Sequence, residues 1–532
     1  MAEFDYIVIG AGSAGCVVAN RLSDGGRFRI LLLEAGPPSN PWSRFPISFG
    51  KLITDPTANW CYESVREAGT ADRAIPVPRG KLLGGSSAIN GLVFVRGQAE
   101  DFDHWAQLGN RGWRYDDVLP FFRRMESFIG GEESIRGRAG PLKVTEVEEI
   151  NPLYEAFIAA AEGRGVHRNP DYNGRHQDGV ARVQTTTFRG RRMSTATCYL
   201  APIRKRANLQ IETNALAERL LFNGRRCEGV RYRQGERVVD AKAGREVILC
   251  GGAINSPQLL ELSGVGDAEH LKHLGIDVVL HAPGVGRNLR DHFTPRLRWT
   301  IKVPGLTYND RARGWGMVRE VVRYAVSREG FLGIPAGTVI GFLRTREGLV
   351  SPDVQFVLTP FMIGDLAKRE LSETSGITVP FYQLRPESTG SVHAQSPDPD
   401  TPPAICFNFL SNPLDRETVI AGLRHVRRIV ESSPMDRYRG DELGPGPDVQ
   451  SDDEIVAWAR ANAQTAYHPS GTCRMGADAD AVVDDQLRVH GVGGLRVADA
   501  SIMPTLTSGN TNAPCIMIGE KASAMLLEAA KN

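Results

Sequence analysis

The chain has 532 residues, more than one domain usually holds, so two or more structural units around a large buried core are expected. Its 63 Lys and Arg nearly cancel 62 Asp and Glu, and a net charge of +1 gives no reason to expect nucleic acid or an anionic membrane surface as partner, which leaves a small molecule. No stretch supplies the roughly 18 consecutive apolar residues of a membrane span, Glu3 and Asp5 stand where a secretory leader carries basic residues, and the eight cysteines lack zinc spacing, so a cytoplasmic protein without a metal centre is expected.

The first element is a strand of β-formers over residues 6–9, which runs into Gly10-x-Gly12-x-x-Gly15 and then an apolar helix through Leu22. Each glycine has its own physical reason. Gly10 permits the tight turn, Gly12 lets backbone approach a pyrophosphate, and Gly15 lets helix pack close to strand. The helix start then presents unpaired N–H groups and a positive dipole end to the phosphates. A second strand over residues 30–33 ends at Glu34, where a carboxylate accepts from a ribose 2′-hydroxyl and repels a 2′-phosphate. NADP is therefore disfavoured, whereas NAD and FAD both fit.

Residues 36–65 carry too many prolines and glycines for regular structure and read as a long excursion. A glycine-dense segment follows, then helical stretches at "YDDVLPFFRRME" and over residues 151–165, the latter with a glycine stop. From residue 209 the pattern turns to strands, "LQIET", "ERLLF", "EGVRYR" and "ERVVDAKAGREVILCGG", separated by glycine or Asn-Gly turns. The last of these enters Gly251-Gly252 and a helix, repeating the opening logic in looser form, so one nucleotide can be held by segments far apart in the chain. Strand-like runs "DVQFVLTPFM" and "ICFNFL" and the helix "DRETVIAGLRHVRRIVES" are assigned to a substrate-side domain, and a strand, a loop and an amphipathic helix close the chain from Leu495.

Five segments in order resemble the glucose–methanol–choline (GMC) oxidoreductase family: the first 36 residues, "GKLLGGSSAINGLVFVRG" (80–97), "GAINSPQLLELSGVG" (252–266), "YHPSGTCRMG" (467–476) and "LRVADASIMPTLTSGNTNAPCIMIGEKAS" (495–523). The resemblance implies a mixed α/β and α+β fold, with a Rossmann-like FAD-binding domain from residues 1–155, 195–300 and 463–532. A discontinuous substrate domain on an antiparallel sheet would take residues 156–194 and 301–462. It implies FAD, with Gly10, Gly12, Ser13, Gly15, Glu34, Ala35, Ala217, Asp499 and Asn510 around the cofactor and Asn90 and Val93 close to the isoalloxazine ring. Some family members tether FAD through a histidine in the GGSS segment; Ile89 stands there in this chain, so noncovalent FAD is expected.

By the same resemblance His468 matches the family's active-site histidine and Asn512, 44 residues later, its partner. The chemistry agrees: an imidazole with a pKa near about 6.5 can take the hydroxyl proton of an alcohol while hydride leaves the carbinol carbon. An asparagine amide can donate to the alcohol oxygen. Tyr467 and Thr338 are expected to line the substrate pocket. The overall likeness is to bacterial choline dehydrogenases, including "GRRMSTATCYL" (190–200), yet choline-acting members place a carboxylate where this chain has Thr338, which favours a neutral aryl, furanic or aliphatic primary alcohol. A choline dehydrogenase, a flavin-containing hydroxynitrile lyase and an NAD dehydrogenase are the competing readings. The electron acceptor is oxygen or a quinone.

Overall fold

In the computed structural model, which describes residues 2–365 and 370–531, two sheets carry the architecture. The first has seven strands. Ala2–Ile9 lies at its heart, paired in parallel with Ile30–Leu33 on one side and with Arg237–Leu249 on the other, and Leu209–Glu212 extends the parallel set beyond Ile30–Leu33. The far edge of Arg237–Leu249 takes Arg226–Gln234 antiparallel over its first half and Leu495–Val497 in parallel at its end. Ile7, Val8, Ile30, Leu31, Leu32, Val247 and Ile248 are all buried, as central parallel strands covered on both faces require.

The opening helix, Gly15–Leu22, packs against the closing helix, Asn512–Ala529. A Cβ on Gly519 would come within 2.8 Å of the Ala14 carbonyl, so a glycine is what lets the two ends of the chain meet. At that contact the buried Glu520 accepts from Arg21 and from the Tyr199 hydroxyl and pairs with Arg124.

The second sheet has six strands with every neighbour antiparallel, in the order Arg439–Gly444, Arg296–Ile301, Gly376–Gln383, Val354–Leu358, Val339–Leu343 and Gly179–Arg182. Strand Arg296–Ile301 shows why it half-buries: Leu297, Trp299 and Ile301 enter the core while Arg296, Arg298 and Thr300 face the other way. Helix Pro413–Val430 covers the sheet with Val419, Leu423, Val426 and Val430, and its start is fixed by the Asn412 side chain accepting from Leu414 N with Pro413 in the first turn. No helix among the described residues is long and apolar enough to cross a membrane. The excursion after Gly36 forms short helical turns, Pro41–Arg44, Pro46–Ser48 and Phe49–Leu52, that run to the rim of a cavity between the sheets.

Candidate active site

The glycine turn does what its spacing predicts. Gly10 has φ 98°, and a Cβ on Gly15 would lie 1.9 Å from the Gly10 carbonyl oxygen, so neither tolerates a side chain. Gly12 differs: a Cβ there would meet only the Cys250 carbonyl, at 3.9 Å, and otherwise project into open space. That space is a cavity lined by Gly10, Gly12, Ser13, Glu34, Ala35, Ala217 and Asp499, with the strand end at Cys250 and the helix start Gly252–Leu262 on its far wall. Glu34 accepts from Ala11 N and Gly36 N, and burial pushes its carboxyl up to about 7 against those two bonds. Asp499 accepts from Gly252 N and the Ser256 hydroxyl through one oxygen and from Ser501 N through the other, so it caps two helical turns at once.

Ser13, Arg79, Thr511 and Cys515 line both this cavity and a second one, which also receives Ile89, Asn90, Val93, Tyr467, His468, Asn510 and Asn512. A bare glycine backbone beside a helix start, a carboxylate at a strand end, and a passage into a chamber holding an imidazole form an elongated mould of the kind a dinucleotide with a reactive ring at one end requires. The residues present therefore fit FAD.

His468 is buried and makes two ring contacts, Nδ1 to His292 Nδ1 at 2.9 Å and Nε2 to Asn510 Nδ2 at 3.0 Å. The tautomers follow from the outermost group. Leu384 O can only accept, so His292 Nε2, 3.0 Å from it, carries a proton. Burial lowers the His292 pKa to about 3, so that ring is neutral and its Nδ1 is a bare acceptor. His468 must then donate from Nδ1, which leaves its Nε2 unprotonated, its lone pair accepting from the Asn510 Nδ2 N–H at the cavity wall. The amide of Asn510 is oriented from behind by Gln355, whose Nε2 donates to Asn510 Oδ1 at 3.3 Å. Burial, with added repulsion from the Arg79 guanidinium, holds the His468 pKa well below its ordinary value, so the base is neutral. Asp291 grips the backbone N–H of both His292 and His468 through one carboxylate oxygen.

The sequence-expected residues line one or other cavity, Asn510 and Asn512 both facing the second, except Gly15, which packs on the Gly10 carbonyl, and Thr338. The amide against His468 is that of Asn510, in the loop before the closing helix. Asn512 is the first residue of that helix, where its Oδ1 accepts from the Ser13 hydroxyl at 2.8 Å and ties the helix start to the glycine turn. Thr338 is fully buried outside the cavity lining, its hydroxyl donating to Leu358 O, whereas its neighbours Ala336 and Gly337 do line the cavity. Tyr467 lines the cavity, in a left-handed conformation at φ 69°, and its carbonyl accepts from the half-buried Arg79. His292, Gln355 and Arg79 were not anticipated.

Among the described residues the second cavity is lined by Arg79, Arg296 and Arg298 and by no carboxylate. Arg296 donates to Gln464, and the rest of the wall mixes apolar and aromatic side chains at Phe49, Val357, Phe361 and Trp458 with neutral polar ones at Thr294, Thr359 and Asn462.

Residues 4–294 and 386–519 match two family models, both described as GMC oxidoreductase. The chain is 43% identical over 529 residues to an oxygen-dependent choline dehydrogenase of Sinorhizobium fredii (strain NBRC 101917 / NGR234), covering 99% of this chain and 96% of that protein. Among solved structures it resembles a pyridoxine 4-oxidase from Mesorbium loti with a TM-score of 0.88 and 30% identity, over 98% of this chain and 99% of that one. A formate oxidase superposes with a TM-score of 0.92 at 27% identity, over 100% and 99% of the two chains.

Proposed function

The chain belongs to the GMC oxidoreductase family as an FAD-binding oxidoreductase of alcohols, and from that premise we propose that it oxidises a neutral primary alcohol to the aldehyde with His468 as base. The observation that carries this reading is the tautomer chain from Leu384 O through His292, which aims an unprotonated Nε2 of His468 into the cavity. Bound FAD supplies the hydride acceptor. Substrate displaces the Asn510 N–H from His468 Nε2, where it sits at 3.0 Å; Nε2 then takes the hydroxyl proton as the C–H bond breaks, and the Asn510 amide donates instead to the substrate oxygen as it gains negative charge. Asn510 thus takes the part expected of Asn512, while Asn512 holds the closing helix against the cofactor turn.

The substrate is neutral because the cavity offers three guanidinium groups and no carboxylate among the described residues. A quaternary ammonium would lose its hydration in a field of like sign. Choline is the competing substrate, from the name carried by the Sinorhizobium relative. The test is anaerobic mixing of the enzyme with choline and with benzylic, furanic and aliphatic alcohols, followed by flavin bleaching. Choline is expected to give a second-order rate constant for reduction at least tenfold below that of the best neutral alcohol; fastest bleaching by choline would overturn the reading. Admitting air afterwards distinguishes oxygen from a quinone as acceptor.

The cofactor is held without a covalent bond. Ile89, buried on the cavity wall in the GGSS segment, has no nucleophilic atom. Acid precipitation is expected to leave the yellow colour in the supernatant, and a pellet still yellow after washing would contradict it.

A further inference from the structure

Helix Gly314–Ser327 is amphipathic in the inverted sense. Its inward face carries Glu320, which accepts from Arg311, and Tyr324, whose hydroxyl donates to Gly190 O. Its outward face carries Trp315, Val318, Val322 and Val326, spaced three, four and four residues apart, which is one stripe of an α-helix. They are 87%, 50%, 56% and 83% exposed. Arg319 and Arg323 run along one side of that stripe, also exposed.

The surroundings repeat the pattern. The Tyr324 ring meets Phe45 at 5.8 Å with the planes tilted by 54°, Phe45 meets the exposed Trp42 at 6.1 Å, and the Lys51 ammonium sits 4.0 Å over the Trp42 ring. Across the Tyr324–Gly190 bond lies the hairpin with exposed Phe188 and Arg189. Among the described residues the exposed carboxylates beside these cations include Glu329, which pairs with Arg323, and Glu373, whose carbonyl accepts from Arg313 at the helix start. A chain with a net charge of +1 thus concentrates positive charge and bare aromatic rings on one side.

We propose that this face docks on an anionic lipid bilayer, with the Trp315–Val326 stripe lying in the interface and the flanking guanidinium groups on lipid phosphates. At 14 residues the helix is about 21 Å long, too short to span and the right kind to lie flat. Tryptophan favours the water–hydrocarbon boundary, and a basic border adds attraction to acidic headgroups. A second copy of the chain fits less well, because a two-fold contact of this face with itself brings the basic border of one copy toward that of the other. The docking segments run straight into the cavity wall, the first at Phe49 and Ile53 and the second, past Phe331–Gly333, at Ala336 and Gly337. The bilayer therefore adjoins the chamber that takes the substrate.

The FAD-loaded enzyme should be sedimented with vesicles of phosphatidylcholine containing phosphatidylglycerol, and with phosphatidylcholine alone. Wild type is expected to pellet with the anionic vesicles at low salt, at least fivefold more than with the neutral ones. Arg319→Glu/Arg323→Glu and Trp315→Ala/Val322→Ser should each lose most of this binding while oxidising a water-soluble alcohol at the wild-type rate, which shows that both variants fold. No pelleting of wild type, or binding unchanged in either variant, overturns the proposal. So does a wild-type dimer by light scattering that becomes a monomer in Trp315→Ala/Val322→Ser, because the stripe would then be covered by a second copy.

Discussion

Replacing His468 by alanine is expected to slow anaerobic flavin reduction by about 10²–10⁴, the usual contribution of a positioned general base. The pH dependence should change as well. Only the neutral imidazole accepts a proton, and burial holds the His468 pKa well below its ordinary value. The neutral form therefore persists to lower pH than in free histidine. Wild-type reduction is expected to be level above about pH 6.5, the unperturbed imidazole value, and to fall only as pH drops through the depressed pKa. The alanine variant should lack that acid limb. Stopped-flow reduction from pH 5 to 9 checks both effects, and a variant that reduces its flavin at the wild-type rate would remove His468 from the mechanism.

Asn510→Ala and Asn512→Ala should separate chemistry from cofactor retention. Asn510 presents an N–H 3.0 Å from the base, and removing one such donor to developing negative charge costs about 10²–10³ in rate, here with the acid limb intact because His468 remains. Asn512 accepts from Ser13 at the glycine turn, so its loss should weaken FAD binding and leave the reduction rate of loaded molecules within a few fold. FAD release by gel filtration, paired with single-turnover reduction, distinguishes them. The reverse pattern, slow chemistry in Asn512→Ala and loose cofactor in Asn510→Ala, would exchange the two roles.

The nucleotide half was legible in the sequence because its requirements are local. A positive φ at Gly10, a missing Cβ at Gly15 and a carboxylate at a strand end all fall within 25 residues of one another. The active site is not local. His292, Gln355 and His468 come from three separate stretches, and nothing in "RDHFT" distinguishes a relay histidine from any other beside an aspartate. The two asparagines of "GNTN" differ only in which side of a helix start they fall, and spacing from His468 does not decide where each side chain points. Thr338 fails as a pocket residue for a similar reason: its hydroxyl turns to Leu358 O while Ala336 and Gly337 face the chamber. Net charge averaged over the whole chain also concealed the basic, aromatic face around Trp315.

The meeting of the chain's two ends has a consequence for how the enzyme is made. Strand Leu495–Val497 completes the first sheet beside Arg237–Leu249, Asp499 and Cys515 line the cofactor cavity, and Asn512–Ala529 packs on Gly15–Leu22. During synthesis the glycine turn is made about 490 residues before Asp499, although both line the same cavity. A nascent chain thus lacks Asp499 and Cys515 from its cofactor cavity until late in elongation. Flavin loading becomes a late event, and a chain cut short before the closing helix is expected to be colourless however well its opening strands have formed.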